Sequence, residues 1–551
     1  MLPYGSLRHL RRARHIGAVL FKHGLGQVAS RLRLGRFFLV PRWGFIGRQG
    51  RLTTPQRLRM ALQELGPTAI KLGQVVSARS DAIPDDYVLE LRQLQDAAPA
   101  APFEQIKPII EQELKAPLDA LFSAFDPEPV ASASLGQVHY ATLKDGCRVV
   151  VKVLRPGVRE LVDADMAILA DIAAMLDSTA PSLRRYDLPG FIREFSATMH
   201  DELAYPVEAH NLEQMARLLG EDRDMRVPRP IWEFTTDRVL TLERLDGIRI
   251  DKVQEIEQAG HDRRLLAQTL ARATLEQILV HGFFHADPHQ GNLRVLPDGS
   301  IALLDWGMVG RLDEGMRKQL VGLLLAVFRR DVSAAVDQLS EMGVVGENAD
   351  LRALQADLAR LITRYYFLPR PLFPLGELLN RTVSLMFHHD VRLPAEFPLL
   401  AKVLLLTEGI CRDLDPNFDY NEAAAPVVER LKKEYLSPAR LVPEMLSAAR
   451  TFVRQVLTLP GRMSRVLAAA ERGSLRVRMA EDDAGHRSMR ALALTYRVCL
   501  AIMLAAMIIG AVILVLSPAA PVTLKWLIGL PVLAATGLAL VVSMVGALRY
   551  R

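Results

Sequence analysis

His285-Ala-Asp-Pro-His-Gln-Gly-Asn292, followed eighteen residues after Asp287 by Asp305-Trp-Gly307, decides how this chain is read. Two carboxylates and a carboxamide, each on a loop beside a short strand, are what a site for nucleotide phosphates needs. One Asp can accept a proton or orient a nucleophile, while Asn292 and Asp305 supply hard oxygen ligands suited to Mg2+. A DxxxxN or a DxG alone occurs by chance, so the case depends on what precedes them.

Upstream, Val130-Ala-Ser-Ala-Ser-Leu-Gly136 reads as a small-residue loop and Gln137 to Leu143 as an extended run. Lys144-Asp-Gly146 is a hairpin turn, and Arg148 to Leu154 is a β-branched strand. Lys152 interrupts that strand sixteen residues after Gly136, and a lysine there is costly unless its ammonium meets an anion. A small-residue turn can bring backbone N–H groups to phosphates, and the lysine can reach the α and β phosphates if an acid holds it. The chain uses 56 Arg against 12 Lys, so lysine at 71 and 152 suggests a need for a compact point charge. The helical texture from Asp163 to Leu219 carries Glu202 and Glu208. On one helix they would project about 120° apart and could not serve the same partner, although Pro206 between them is a helix-start signal.

Working outward, residues 52 to about 125 read as helices. Thr54-Pro55 opens one that runs to Leu65, Gly66-Pro67 ends it, and the next places Lys71 and Gln74 on one face. Ile231 to Phe234 and Val239 to Arg244 read as a second hairpin around Thr235-Thr-Asp237, and Leu245-Asp-Gly247 as a linker. Beyond it the chain reads as mostly helical to about 480, apart from a hairpin flanking Pro297-Asp-Gly299. His281, His285 and His289 are four apart and mimic a metal-binding helix face, but Pro288 breaks that helix. His285 is then a packed, hydrogen-bonded loop residue, and Trp306 is core packing beside the metal loop.

The full 551 residues are half hydrophobic and allow two or more domains. Cys147, Cys411 and Cys499 are isolated, which fits a reducing compartment and excludes a CxxC-type zinc or redox pair. The charge is unevenly placed. Residues 1 to 51 hold eleven Lys or Arg and no acid, so the overall +6 becomes −5 once they are set aside. Such a segment, interleaved with Leu, Phe and Trp, suits nucleic acid, an anionic membrane surface or an organellar transit peptide. The opposite end favours the membrane surface. Val498 to Leu516 and Trp526 to Leu548 are uncharged runs of 19 and 23 residues, long enough at about 1.5 Å per residue to cross a hydrocarbon layer of about 30 Å. A buried helical hairpin is the alternative. Arg487, Arg490 and Arg497 before the first run, and Arg549 and Arg551 after the second, put both ends in the cytoplasm or its equivalent.

Taken together, Lys71-Leu-Gly-Gln74, the Ala/Ser loop ending in Ser134-Leu-Gly-Gln-Val-His139, Val151-Lys152, Glu202 to Asn211, His285 to Asn292 and Asp305 to Gly307 resemble the UbiB, or aarF-domain-containing, atypical kinase family. The resemblance runs from about residue 50 to 420. It implies an α+β, bilobal protein-kinase-like fold with a helical N-terminal extension and a C-terminal two-helix transmembrane hairpin. The expected divisions are a basic membrane-surface segment (1–51), a helical extension (52–125), an N-lobe (126–245), a C-lobe (246–440), a helical tether (441–497) and the hairpin (498–548).

By the same resemblance Lys152 holds the phosphates of ATP or ADP with Glu208 as its ion-pair partner, and Asp287 occupies the catalytic-loop position. Asn292 and Asp305 bind Mg2+. Ala131, Ser132, Ala133, Ser134 and Gly136 form the alanine-rich loop that replaces a glycine-rich one. Lys71 and Gln74 match the KxGQ motif that folds over a peptide-substrate site, with Glu202 as the acid for Lys71. Two departures stand out: Glu202-Leu-Ala204 replaces the usual E-x-D, and Trp306 replaces the Phe of DFG.

Few residues separate Gly307 from a helix-start signal at Asp313, which leaves hardly any room for an activation segment or a peptide platform. The expectation is a Mg2+-dependent, ATP-binding kinase-like ATPase at the cytoplasmic membrane, or at the mitochondrial inner membrane in a eukaryote. By resemblance it would support ubiquinone biosynthesis. Its partners would be anionic lipid head groups, isoprenoid quinone precursors and quinone-biosynthetic enzymes, with no nucleic acid. The rivals are a phosphotransferase acting on a small or lipid hydroxyl and a non-catalytic nucleotide-binding scaffold.

Overall fold

The computed structural model describes residues 4–26, 52–78, 84–91, 93–94, 99–179, 187–220, 224–329, 331–342, 344–345, 350–366, 375–394 and 396–435. The chain divides into two units, Met1–Val442 and Pro443–Arg551. The second unit, with the expected tether and the two apolar runs at 498–548, lies outside the described residues. Among the described residues no helix is long and apolar enough to cross a membrane.

Helix α1 (Tyr4–Lys22) comes from the basic segment, and α2 (Thr54–Leu65) opens the extension. The Thr53 hydroxyl accepts from the Gln56 N–H while the Gln56 side chain accepts from the Thr53 N–H, a reciprocal cap that satisfies two otherwise unpaired donors. Gly66, at φ +96°, turns the chain into α3 (Pro67–Ala78). Val19, Leu20 and Leu25 pack on Ala61 and Leu65, so α1 is docked on α2. The Arg12 guanidinium donates to both Asp165 carboxylate oxygens at 2.5 and 2.8 Å and to the Leu65 carbonyl at 2.7 Å. Lys22 pairs with Glu64 at 2.8 Å. Part of the N-terminal charge is therefore matched within the protein.

After α4 (Asp85–Leu91), α5 (Phe103–Leu114) and the single turn α6 (Leu118–Leu121), the chain is extended sooner than the helical reading to 125 expects. Lys115, in a left-handed conformation at φ +57°, and Pro117 end α5. Phe122 is then free to enter the sheet as the first residue of β1 (Phe122–Phe125), opposite Leu143.

The small-residue stretch at 130–136 is likewise more ordered than a loop. β2 (Ala131–Ser132) pairs with β3 (Gly136–Leu143), leaving only Ala133 to Leu135 as the turn, closed by Ala133 N–H to the Gly136 carbonyl at 2.9 Å. β4 (Arg148–Leu154) follows the Lys144-Asp-Gly146 turn.

Helices α7 (Val158–Thr179), α8 (Leu188–Glu202) and α9 (Tyr205–Leu219) come next, then β5 (Met225–Arg226) and β6 (Val239–Glu243). The first sheet has the order β1-β3-β4-β6, with β2 on β3, and all its pairs are antiparallel. The hairpin read at 231–244 is only half present. Ile231 keeps one ladder bond to the Thr241 carbonyl at 2.8 Å, after which Trp232–Phe234 coil into a 3-10 turn. The Thr235 hydroxyl, donating back to the Ile231 carbonyl at 2.9 Å, holds that turn closed.

For the remaining residues the sequence predicts helices and one hairpin flanking Pro297-Asp-Gly299. That hairpin is present, with Leu293–Val295 antiparallel to Ile301–Leu303, while the other short strands escape the pattern. β7 (Ile248–Arg249), β9 (Leu293–Val295) and β10 (Ile301–Leu303) join β5 in a second sheet of order β5-β10-β9-β7. β8 (Phe283–His285) pairs with β11 (Val309–Arg311). Strands of two or three residues carry no readable alternation, which is why sequence periodicity does not find them. Between β7 and β8 lie α10 (Val253–Gln258) and α11 (Arg263–Glu276). After β11 come α12 (Glu314–Arg329), α13 (Val332–Met342), β12 (Val344–Val345), α14 (Leu351–Tyr366), α15 (Leu375–His388), β13 (Val391–Arg392), α16 (Glu396–Leu414) and α17 (Tyr420–Tyr435).

Three cores position the site. Ile106, Ile109 and Ile110 of α5 cover one face of the first sheet through Val149, Val151 and Val153. A larger core joins Leu212 and Met215 of α9 to Leu270 of α11, Trp306, Leu404 of α16 and Val427 of α17. A third is built from Leu339, Leu358, Met386 and Phe397 in the C-terminal helices.

Candidate functional site

The alternation of β4 aims Lys152. Val149, Val151 and Val153 are fully buried against α5, so the residues between them face the opposite side of the sheet. There the Lys152 ammonium meets Glu208 Oε1 at 2.6 Å and Asp305 Oδ2 at 3.2 Å. Burial by itself would lower the lysine's pKa. The Asp305 and Glu208 carboxylates outweigh it and hold the pKa above its ordinary value, so Lys152 is a fixed positive charge.

Glu208 is placed by the helix start that Pro206 signals. α8 ends at Glu202 and α9 starts at Tyr205, with Pro206 in its first turn. The two acids therefore sit on separate helices, and each has its own lysine: Glu202 pairs with Lys71 of α3 at 3.1 Å and Glu208 with Lys152. Gln74, one turn after Lys71, donates to the Leu94 carbonyl at 3.1 Å. Glu208 Oε1 also accepts the backbone N–H of Trp306 at 3.2 Å.

Trp306 is fully buried. Its ring stacks on Phe283 at 5.9 Å and meets His285 edge-on at 5.1 Å, and its carbonyl accepts from the Asn211 carboxamide at 3.1 Å. This packing fixes the neighbouring Asp305, whose Oδ1 accepts the Gly307 N–H at 3.0 Å. Burial would raise the pKa of Asp305, but Lys152, the Gly307 N–H and His285 hold it well below the carboxylate range.

Residues 285–292 follow a wide π turn at Gln277–His281, where the Gln277 side chain accepts the His285 N–H at 3.1 Å. The His285 ring in turn accepts the Asp287 N–H at 3.0 Å, and burial holds its pKa down. His285 is thus packed and hydrogen-bonded as its sequence context suggests, but it ends strand β8 opposite Val309 rather than lying in a loop. Asn292 closes a 3-10 turn, and its carbonyl accepts the Leu304 N–H at 2.9 Å, which brings the Asn292 and Asp305 segments side by side. The Asn292 carboxamide makes no hydrogen bond among the described residues.

Two hard oxygen donors side by side, with an ammonium beyond them, suit a Mg2+ that takes its other ligands from phosphate and water. Among the described residues no cluster of three His, Cys, Asp or Glu forms a separate protein-only cage. Among the described residues the turn at Ala133 to Leu135 has one unpaired donor to offer a ligand, and it is tightly packed beneath. The Ser134 hydroxyl is buried without a hydrogen-bond partner among the described residues, and a Cβ at Gly136 would stand 2.4 Å from the Tyr205 hydroxyl and 2.9 Å from the Val153 carbonyl.

Three side chains at the site escape the sequence reading. Arg155 clasps the loop, donating to Ser132 Oγ at 2.7 Å, the Ala133 carbonyl at 3.0 Å and the Pro99 carbonyl at 2.7 Å. Tyr205 underlies Gly136. Lys402 on α16 places its ammonium 2.8 Å from Asp287 Oδ1. Burial would raise the pKa of Asp287, but Lys402 foremost, then His289 and Lys71, hold it below its ordinary value. The scarcity of lysine that singles out 71 and 152 applies equally to 402.

A five-stranded antiparallel lobe carrying the lysine, joined to a helical lobe carrying the two aspartates and the asparagine, defines a kinase-like α+β protein of mostly helical content. The profile of the ABC1 atypical kinase-like domain matches residues 93–339, and that of the UbiB helical domain matches residues 358–419. The chain belongs to this ABC1/UbiB family of atypical kinases. It is 36% identical over 456 residues to a "Probable protein kinase UbiB" of Xanthomonas campestris pv. campestris, covering 80% of this chain and 81% of the relative. An uncharacterized protein of Synechocystis is 34% identical over 453 residues, covering 80% and 77%. The chloroplastic "Protein ACTIVITY OF BC1 COMPLEX KINASE 7" of Arabidopsis thaliana is 34% identical over 475 residues, covering 83% and 68%. A solved Mycobacterium tuberculosis structure with erythromycin is 26% identical, covers 64% of this chain and 90% of that one, and has a TM-score of 0.47.

Proposed function

We propose that the protein is a Mg2+-dependent, ATP-binding kinase-like ATPase that works at a membrane surface in support of isoprenoid-quinone biosynthesis. The observation that carries the nucleotide reading is the triad in which one ammonium, Lys152, is held between the buried Glu208 and the part-exposed Asp305. Lys152 binds the α and β phosphates, Glu208 fixes its direction, and Asp287 orients the attacking water. Asn292 and Asp305 would hold the metal, which supplies charge neutralisation on the phosphates when bound. Only six residues, three of them in β11, lie between Gly307 and the start of α12, so a peptide platform after the Asp-Trp-Gly segment is absent. Lys71, paired to Glu202, extends the same argument against a peptide substrate.

The membrane part rests on the two uncharged runs at 498–516 and 526–548 and on the acid-free N-terminal segment. The quinone part rests on the UbiB name borne by the relatives. The divisions at 1–51, 52–125, 126–245, 246–440, 441–497 and 498–548 are the proposed organisation, with the second boundary moved back to about 122 because β1 belongs to the first sheet. Lipid-phase quinone precursors and their enzymes are the proposed partners.

The test is ATP turnover by the full-length protein in anionic liposomes, with and without quinone-precursor mimics, comparing wild type with Asp305→Asn and Lys71→Ala. Lipid should raise turnover and Asp305→Asn should abolish it. Unchanged turnover in Asp305→Asn sinks the metal assignment. Phosphate appearing on a lipid hydroxyl would make the protein a phosphotransferase, and nucleotide binding without turnover in any lipid would make it a scaffold.

A further inference from the structure

Lys402 reaches Asp287 from the far side of the molecule's sequence, on a helix inside the region matched as the UbiB helical domain. Its helix, α16, makes a second contact with the same loop. Asp413 Oδ2 accepts from the Gln290 carboxamide at 2.6 Å. Eleven residues separate 402 from 413, which at about 100° per residue is close to three full turns, so both side chains leave one face of α16 roughly 16 Å apart. The loop they touch is short and stiffened by its own bonds: His289 N–H to the Asp287 carbonyl at 2.8 Å, Gly291 N–H to His289 Nδ1 at 3.0 Å and Asn292 N–H to the His289 carbonyl at 2.9 Å.

The opposite face of α16 is locked in place. Leu400, Val403, Leu404, Ile410 and Leu414 are buried in the main core. Glu408, also buried, accepts the Gly376 N–H at 3.0 Å and pairs with Arg412 at 2.9 Å. The platform is therefore rigid, and the loop is held to it by two polar side chains.

We infer that Lys402 is a positioning residue for the reaction, fixing the Asp287 carboxylate, and that with Asp413 it makes α16 the element through which the helical domain sets the catalytic loop. This rests on the reading of Asp287 as the group that orients the attacking oxygen. The magnitudes separate this role from a stabilising one. Both side chains of the Lys402–Asp287 pair are about one-third exposed, at 32% each, and an ion pair so placed adds little to stability. Removing it should thus leave the fold's stability nearly unchanged while altering what Asp287 can do.

The experiment uses the full chain in anionic liposomes with Lys402→Met, Lys402→Arg, Asp413→Asn and the double variant Lys402→Met/Asp287→Asn. Amide exchange over residues 285–292 is read without nucleotide, and kcat, KM and nucleotide affinity are read with MgATP. Lys402→Met should raise exchange at 287–292 and lower kcat at least tenfold, with KM and affinity within about twofold. Lys402→Arg should restore most of both, and Asp413→Asn should raise exchange near 290. In the Asp287→Asn background, Lys402→Met should add no further exchange. Wild-type exchange in Lys402→Met overturns the inference, as does an equal rise in the Asp287→Asn background. If the wild type turns over no nucleotide, the ATPase reading fails by itself, and the exchange measurement still decides whether Lys402 positions the loop.

Discussion

Glu208 Oε1 receives the Lys152 ammonium at 2.6 Å and the Trp306 backbone N–H at 3.2 Å. One oxygen atom thereby joins a strand of the first sheet, the first turn of α9 and the Asp-Trp-Gly segment, three pieces that are far apart in sequence. The Glu208 side chain is 6% exposed. At that burial a charge is tolerated only with a partner and hydrogen bonds that replace its hydration.

Glu208→Gln keeps the shape and an oxygen for the Trp306 N–H but removes the charge that balances Lys152. Breaking a buried pair costs about 3–5 kcal/mol, and the lower end applies because Asp305 still faces the ammonium. Urea unfolding should show a loss of about 3 kcal/mol, and nucleotide affinity should fall at least tenfold. A midpoint equal to wild type would mean that the pair does not hold the lobes together.

Gly136→Ala tests the loop from the opposite direction. The new methyl group would press on the Tyr205 hydroxyl and the Val153 carbonyl, and overpacking of this kind costs about 1–3 kcal/mol. Because one of the two clashes is with a side chain, adding Tyr205→Phe should recover part of the loss, while the clash with backbone remains. If the double variant is no more stable than Gly136→Ala alone, Tyr205 is not the obstacle.

These two sites show what was legible in the sequence. Lys152 could be assigned because a charged residue within a Val-rich strand breaks a rule of burial, and Asp287, Asn292 and Asp305 because their spacing is sparse and directional. Glu202 pairs with Lys71 and Glu208 with Lys152 as expected, and the helix start signalled by Pro206 is what puts the two acids on separate helices. Lys402 carries the same signal of lysine scarcity as 71 and 152, but no motif ties it to a partner, and only tertiary packing brings it to Asp287. The same holds for Arg155, whose partners are backbone carbonyls that no side-chain pattern announces. β2, β7 and β13 have two residues each, below the length at which alternation carries information.

Acidification should weaken the fold through its buried histidines. His139 is buried between the Gln137 side chain at 2.9 Å and the Asp126 carbonyl at 2.9 Å, and Gln137 in turn binds Ala101, so this chain ties the extension to β3. Burial lowers the pKa of His139 despite the Asp126 carbonyl, and burial also lowers those of His281 and His285. Each folded-state value lies below the unfolded value of about 6.5. Above that pH both states are neutral and nothing is lost. Below it the unfolded chain takes up protons that the folded chain refuses, so stability declines as pH falls from about 6.5 toward the folded values. Urea midpoints should drop between pH 7.5 and 5.5, and His139→Gln should make that drop shallower. An identical slope in the variant would remove His139 from the account.

Arg12 separates charge used inside the protein from charge offered to a surface. Its side chain is 12% exposed and its partner Asp165 is 5% exposed, so Arg12→Ala strands a buried carboxylate at a cost of about 3–5 kcal/mol. That exceeds what the small cluster of Val19, Leu20 and Leu25 can sustain, and α1 should undock, read as new protease cleavage within residues 4–22 of the full chain. Arg11, one residue earlier, is exposed. A basic side chain near an anionic bilayer contributes about 1 kcal/mol, so Arg11→Ala should weaken binding to anionic liposomes roughly fivefold and leave protease resistance intact. Wild-type resistance in Arg12→Ala would contradict the docking, and wild-type liposome binding in Arg11→Ala would show that the outer face of α1 is not what meets the lipid.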